Sequence, residues 1–307
     1  YSDVAILYRA HYLSRELEDV FLKQEVPYSI YSGVQFYGRK EIKDALSYLR
    51  MVIYQDDLSF LRIANVPKRN IGERRMTFLK QYALDHSCTL YQALLQTLDN
   101  EIFKGTRAKQ FVELVDDFAQ DHAYMRLSEL LTLILDRSGY EAQLRLEGSQ
   151  ERLDNLAELK QAIMDFEDSC GEECRPEDYL DRVALLTNHD VPDSKDAVKL
   201  MTVHTAKGLE FPYVFVVGLN DGIFPSKKTA NVEGMEEERR LAFVAMTRAE
   251  KGLYLTEPEG KNLDGSYRFP SRFIFNIDRS LLRYTVELDP RLLDDAQRFI
   301  TASQHTM

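Results

Sequence analysis

Two periods organise the apolar residues of this chain. "VAILYR" (4–9) is a short unbroken apolar run, the pattern of a strand covered on both faces. "YLSRELEDVFLKQ" follows with Leu13, Leu17, Val20 and Phe21 three and four apart, the period of a helix with one apolar side. "PYSIYS" (27–32) reads as a second strand. "EIKDALSYLRMVIY" (41–54) reads as a helix with Ile42, Ala45, Leu46 and Leu49 on one side. From about residue 56 to 190 helical intervals persist, as in Leu127, Leu130, Leu131, Ile134 and Leu135, and β-rich runs are scarce.

The texture changes near Asp190. "HDVPDSKDA" (189–197) is polar and holds a proline, as a connecting segment does. "VKLMTV" (198–203) and "YVFVVGL" (213–219) have the look of central parallel strands, and "LYLT" (253–256) makes another. These patterns predict an α/β domain with a parallel sheet, formed by both chain ends and interrupted by an all-α inserted domain. The expected boundaries are 1–52 with 191–280 for the α/β part, 53–190 for the insertion and 281–307 for a C-terminal extension.

Composition adds bounds. A chain of 307 residues with 44% hydrophobic and 29% charged residues suits a globular protein of two ordinary domains. No run approaches the roughly 20 apolar residues of a membrane span, and the first residues lack a secretory signal. A cytoplasmic location is therefore expected, with no membrane partner. The start at Tyr1, close to a strand, suggests a piece of a larger protein. Cys88, Cys170 and Cys174 make no disulfide framework, and the C-x3-C pair lacks the further ligands of a zinc site. They are expected to be reduced thiols, with no metal bound.

The net charge of −11 argues against a surface coated in phosphate-binding groups. One local exception is "RIANVPKRNIGERR", with Arg62, Lys68, Arg69, Arg74 and Arg75. It reads either as a nucleic-acid contact or as a solvated loop and helix start.

Candidate chemistry gathers where strands end. "HTAKGLEFP" (204–212) presents His204, Thr205, Lys207 and Glu210 between two apolar strands, with Gly208 allowing close backbone approach. Tyr8 and Arg9 end the first strand; an aromatic beside an arginine can stack on a base while the guanidinium reaches phosphate. In "EEERRLAFVAMTRAEKGLYL" (236–255), Leu241, Val244 and Ala245 share a helix face, and Arg248 lies one turn further along it. A cation there complements the helix dipole, or it serves a ligand. No G-x-x-x-x-G-K-[ST] occurs; the nearest stretch, "PEGKN" (258–262), lacks the spacing and the hydroxyl. Nor does an acidic pair follow an apolar strand to hold magnesium.

Taken together, "AILYRAHYLSRELEDVF" (5–21), "FYGRKEIKDALSYLRM" (36–51), "LRIANVPKRNIG" (61–72), "KLMTVHTAKGLEFPYVFVVGLNDGIFP" (199–225) and the stretch from 236 to 255 resemble the superfamily-1 DNA helicases of the UvrD/PcrA/Rep family. The resemblance implies the second of two RecA-like motor domains with its inserted helical domain. ATP with Mg2+ would lie in a cleft completed by an N-terminal RecA-like domain, which carries the Walker A lysine and the magnesium-binding acids. It implies 3′-to-5′ movement on DNA and no ATP hydrolysis by this chain alone. By the same resemblance Tyr8 stacks on adenine, Arg9 and Arg248 reach the γ-phosphate as arginine fingers, and Glu210, beside Gly208, binds the ribose. Thr202 and His204 fall where the family touches single-stranded DNA. "NVPKRNIG" is similar to the family's "VPKRGIG" segment that approaches duplex phosphate; Asn70 stands in place of its first glycine, leaving Lys68 and Arg69 as the contacts. Single-stranded DNA, a duplex junction, and repair or transcription proteins are the implied partners. Two alternatives stand beside this: a DNA- or protein-binding module without catalysis, and the motor of an AddA/RecB-like helicase–nuclease.

Overall fold

A computed structural model describes residues 1–171, 175–188, 196–229, 231–258, 260, 267–285, 294–296, 298, 300 and 301. Cys174, most of the connecting segment, the end of "PEGKN" and much of the expected extension lie outside the described residues. The chain divides into two compact units, one made of Tyr1–Gln35 with Val191–Met307 and the other of Phe36–Asp190.

The first unit is built on a five-stranded sheet in the order β2-β3-β1-β4-β5. Its strands are β1 (Val4–Tyr8), β2 (Tyr28–Ile30), β3 (Val198–Thr202), β4 (Phe211–Val216) and β5 (Ala249–Leu255), and every neighbouring pair is parallel. β1 is central, with Tyr8 opposite Thr202 and Leu7 opposite both Met201 and Val216. Successive side chains of a strand point to opposite faces. Ala5 and Leu7 therefore pack with Met201, Val214 and Val216 against helix α11 (Val232–Met246) through Leu241, Ala242 and Ala245. Ile6 and Tyr8 face the other way, with Tyr28, Val198 and Leu200, against Leu17 and Phe21 of helix α1 (Ser14–Lys23). Cover on both faces explains the unbroken apolar runs. Val20 is exposed, because the stripe of Leu13, Leu17 and Phe21 already meets the sheet. β5 starts at Ala249, earlier than "LYLT" indicates. As an edge strand with exposed Glu250 and Lys251, it carries charge where a central strand would not.

The second unit is helical: α2 (Lys40–Ile53), α3 (Asp57–Ile63), α4 (Glu73–His86), α5 (Leu90–Thr97), α6 (Ala108–Asp121), α7 (Leu127–Arg137), α8 (Tyr140–Leu146), α9 (Gln150–Cys170) and α10 (Pro176–Asn188). Its core joins Ile42, Leu49 and Val52 of α2 to Phe60, Leu94, Phe111, Leu131 and Leu159. The first boundary falls between Gln35 and Phe36 rather than after residue 52, because α2 is buried on nearly every side. Even its acids are enclosed: Asp44 accepts from Arg62 Nε at 2.7 Å and from the Tyr140 hydroxyl at 2.8 Å. Glu41 accepts from Asn155 Nδ2 at 2.6 Å, and Asn155 Oδ1 accepts from Arg39 at 2.9 Å. Paired in this way, buried carboxylates are tolerated. A one-sided apolar stripe could not announce them. No described helix is long and apolar enough to cross a membrane.

Candidate functional site

A parallel sheet has two unlike ends, and the candidate residues of the α/β unit divide between them. β1 and β3 end together at Tyr8 and Thr202, so Arg9, Thr202 and His204 gather beyond the carboxyl ends of the strands. The loop after Thr202 turns back along the sheet, with the Ala206 N–H donating to the Thr202 carbonyl and the Leu209 N–H to the Ala206 carbonyl. It delivers Gly208 and Glu210 to the start of β4. There the Phe211 N–H donates to the Arg248 carbonyl at 2.9 Å, and Phe211 pairs with Ala249. Gly208, Glu210 and Arg248 thus lie at the amino end of the strands.

At the carboxyl end, Arg9 meets a residue that the sequence reading passed over. Arg9 Nη2 lies 2.6 Å from Glu238 Oε1, and Nε donates to both carboxylate oxygens at 3.0 and 3.2 Å. Glu238 Oε2 also accepts from the Ser226 N–H at 3.2 Å. The signal was present. Glu238 precedes Leu241 and Ala242 by three and four residues, so it continues the buried stripe of α11 backwards. His204 is exposed as a residue, yet its ring is partly withdrawn from water, which lowers its pKa. The positive charge of Arg9 acts in the same direction, while Glu238 and Glu237 oppose it. Thr202 is buried, its hydroxyl 2.9 Å from that of Thr205 and accepting the Thr205 N–H at 3.3 Å. Its side chain shapes the turn and is not presented to a ligand.

At the amino end, Arg248 donates to the carbonyls of Val244 (Nε, 3.0 Å) and Leu209 (Nη1, 2.9 Å) and to the Thr247 hydroxyl (Nη2, 3.0 Å). A cation on the last carbonyls of α11 offsets the helix dipole. Every one of these acceptors is neutral. Among the described residues Arg248 has no carboxylate partner, so its charge stays uncompensated beside exposed Glu210. Gly208 has φ +87°, and nothing lies within 4 Å of where a Cβ would stand. A side chain would be strained there, and the space beside it is open.

Two expectations are corrected by this geometry. Arg9 and Arg248 are held at different ends of the sheet: Arg9 is paired with Glu238 beyond the carboxyl end of β1, and Arg248 lies just before the start of β5, two residues past the end of α11. Tyr8 is fully buried, its ring edge-on to His11 at 6.3 Å between centroids. No ring face is open for an adenine to stack on.

In the helical unit, Lys68 is exposed and Arg69 is not. The Arg69 guanidinium donates to the carbonyls of Ile63 (2.9 Å) and Val66 (3.0 Å) and to the Tyr48 hydroxyl (2.6 Å), and it lies 4.8 Å from the Phe111 ring centroid. It closes the C-terminus of α3 and is withdrawn from any DNA, which overturns its assignment as a phosphate contact. Asn70 holds φ +63°, the conformation its glycine counterpart would adopt freely. Arg62 and Arg75 are likewise engaged within the unit, Arg75 with the carbonyls of Ile102 (2.5 Å) and Asn70 (2.8 Å). Of the basic stretch, Lys68 and Arg74 remain exposed. Among the described residues, no group of three or more His, Cys, Asp or Glu could hold a metal ion.

Comparison with known proteins agrees with the mixed α/β fold. The model of the UvrD-like helicase C-terminal domain matches residues 1–259. The ATP-dependent DNA helicase PcrA of Staphylococcus aureus (strain MRSA252) is 38% identical over 294 residues, 92% of this chain and 40% of the relative. PcrA of Staphylococcus epidermidis (strain RP62A) is 39% identical over the same share. The chain therefore spans well under half the length of these relatives. A match over most of its length places the chain in the UvrD-like helicase C-terminal domain family.

Proposed function

We propose that this chain is the second motor domain of an ATP-dependent DNA helicase, with nucleotide and DNA served by opposite ends of its sheet. Gly208, Glu210 and Arg248 face the nucleotide, Glu210 toward the ribose and Arg248 toward the γ-phosphate. Arg9 and His204 face a single DNA strand, and Lys68 with Arg74 faces a duplex junction. The observation that carries the reading is Arg248, a guanidinium held among the described residues by neutral oxygens, one of them the Leu209 carbonyl that immediately precedes Glu210.

The chemistry suits the residues. Phosphoryl transfer spreads negative charge over the γ-phosphoryl oxygens, and one arginine finger contributes roughly 10³–10⁵ in rate. A finger already neutralised by a carboxylate, as Arg9 is by Glu238, would contribute far less. The phosphate cradle and the magnesium-binding acids belong to a first RecA-like domain. The 307-residue chain on its own is therefore inactive toward ATP and DNA unwinding. Alternation of cleft closure with ATP state would move the two domains along the strand, in the 3′-to-5′ direction that the resemblance implies.

The test compares two variants in the full-length protein. Arg248→Ala lowers kcat for ATP by about 10³ or more and keeps affinity for single-stranded DNA. Arg9→Ala lowers DNA affinity first. An unchanged kcat in Arg248→Ala rejects the finger, and ATP turnover by the purified 307-residue chain rejects the division of labour.

A further inference from the structure

Glu238 is almost sealed from water, with a side chain 5% exposed against 24% for Arg9. Its carboxylate has two attachments. One is Arg9, through Nε and Nη2. The other is the Ser226 N–H, in a loop fixed by the bidentate pair of Arg272 Nε and Nη2 with Asp221 at 2.8 and 2.9 Å. Arg9 Nη1 enters no hydrogen bond among the described residues, the side chain is partly exposed, and its charge is felt at His204. Carboxylate and phosphate are matched acceptors for a guanidinium fork. A phosphodiester arriving at Arg9 competes with Glu238 for the same cation. A buried carboxylate that loses its cation is strongly disfavoured and must shift toward other donors or water.

That shift has a path. Glu238 sits midway along α11, and Arg248 follows the last residue of that helix by two positions, bound back to it through the Val244 carbonyl. Ala242 and Ala245 form much of its buried stripe, and such small side chains permit a displacement of the 1–2 Å order seen in helix shifts. We infer that Glu238 is a latch on Arg9: it restrains α11 while no DNA is bound, and a single-strand phosphate that takes over Arg9 releases the helix and, with it, Arg248. Glu238 is here a positioning residue, acting through Arg9 on one side and Arg248 on the other. This inference rests on the placement of Arg9 at the DNA end.

The test uses the full-length protein and an oligothymidylate as the single strand. Glu238→Gln keeps the shape and removes the charge. It binds the oligonucleotide about fivefold more tightly, as expected when a competing anion is removed. Its ATP hydrolysis without DNA rises, so the fold-stimulation by DNA falls. Glu238→Asp draws the carboxylate back by one methylene and gives a smaller gain in the same direction, which carries the test should the Gln variant not fold. A gain from neither variant overturns the latch. In an Arg9→Gln background the Glu238→Gln gain disappears; a gain that persists there means that Glu238 acts only through the general field, and also overturns it. Undiminished DNA affinity in Arg9→Gln alone refutes the placement of Arg9, a failure distinct from that of the latch.

Discussion

Arg248 Nη1 lies 2.9 Å from the Leu209 carbonyl oxygen, which ties the end of α11 to the loop that presents Glu210. Two segments far apart in sequence are thereby held at one end of the sheet. The link also separates the two contributions of Arg248. A lysine keeps the positive charge but cannot bridge Val244 and Leu209 with a planar fork. Arg248→Lys is therefore expected to lose at least about 10² in kcat, since the charge is no longer aimed. Steady-state ATP hydrolysis by the full-length protein checks this, and near-normal turnover would show that charge alone suffices.

Glu210 gives a complementary expectation. A carboxylate that accepts from a ribose hydroxyl contributes binding equally in ground and transition states, which raises affinity and leaves kcat alone. Glu210→Ala should raise KM for ATP about tenfold, the scale of a hydrogen bond to a charged group. The variant should also lose any preference for ATP over 2′-deoxy-ATP. A fall in kcat with KM unchanged would assign Glu210 to the reacting centre instead.

Arg69 and its neighbour Lys68 should part company. Arg69 is buried on the carbonyls at the end of α3, with no acidic partner among the described residues. Its removal leaves those carbonyls and the Tyr48 hydroxyl short of a donor, and Arg69→Ala is expected to cost about 3–5 kcal/mol. Lys68 is exposed, and Lys68→Ala should stay within about 0.5 kcal/mol of the parent. Urea unfolding of the two variants reads the contrast. At a duplex junction the order reverses: Lys68→Ala weakens binding and lowers the salt slope by about 1. A stable Arg69→Ala that has lost junction affinity would return Arg69 to the DNA surface.

These residues show how far the sequence could be read. Unbroken apolar runs became parallel strands because both faces of the sheet are covered, and helical spacing became helices because one stripe is. Those are local rules. Asp44 and Glu41 were illegible because their partners, Tyr140 and Asn155, stand about a hundred residues away, with |i−j| of 96 and 114. Arg69 looked like a DNA contact because a charge in a basic run carries no mark of burial. The grouping of Arg9 with Arg248 failed for a topological reason. Loops that leave and enter a sheet alternate between its two ends, and which end each residue occupies depends on register. Glu238 alone was within reach, as the polar member of an otherwise apolar stripe.

The pKa of His204 lies below 6.5, first because its ring is partly withdrawn from water and then because of Arg9. The unfolded chain therefore binds more protons at this position than the folded one across that interval. Stability rises with pH there: the contribution is fully present above 6.5 and is lost as pH falls through the folded value. With His204 at the DNA-facing end, as proposed, DNA binding is expected to have the opposite sign. A phosphodiester beside the ring favours the imidazolium, so binding takes up a proton, and affinity increases as pH falls through the same window. The negative charges of Glu237 and Glu238 act on the ring in the opposite sense and favour its charged form. Fluorescence anisotropy with an oligothymidylate between roughly pH 5.5 and 7.5 should show tighter binding toward acid in the full-length protein. His204→Gln should flatten that dependence and also remove the loss of stability in the same range. A slope that survives in His204→Gln would place the titrating group elsewhere and take His204 out of the DNA-facing end.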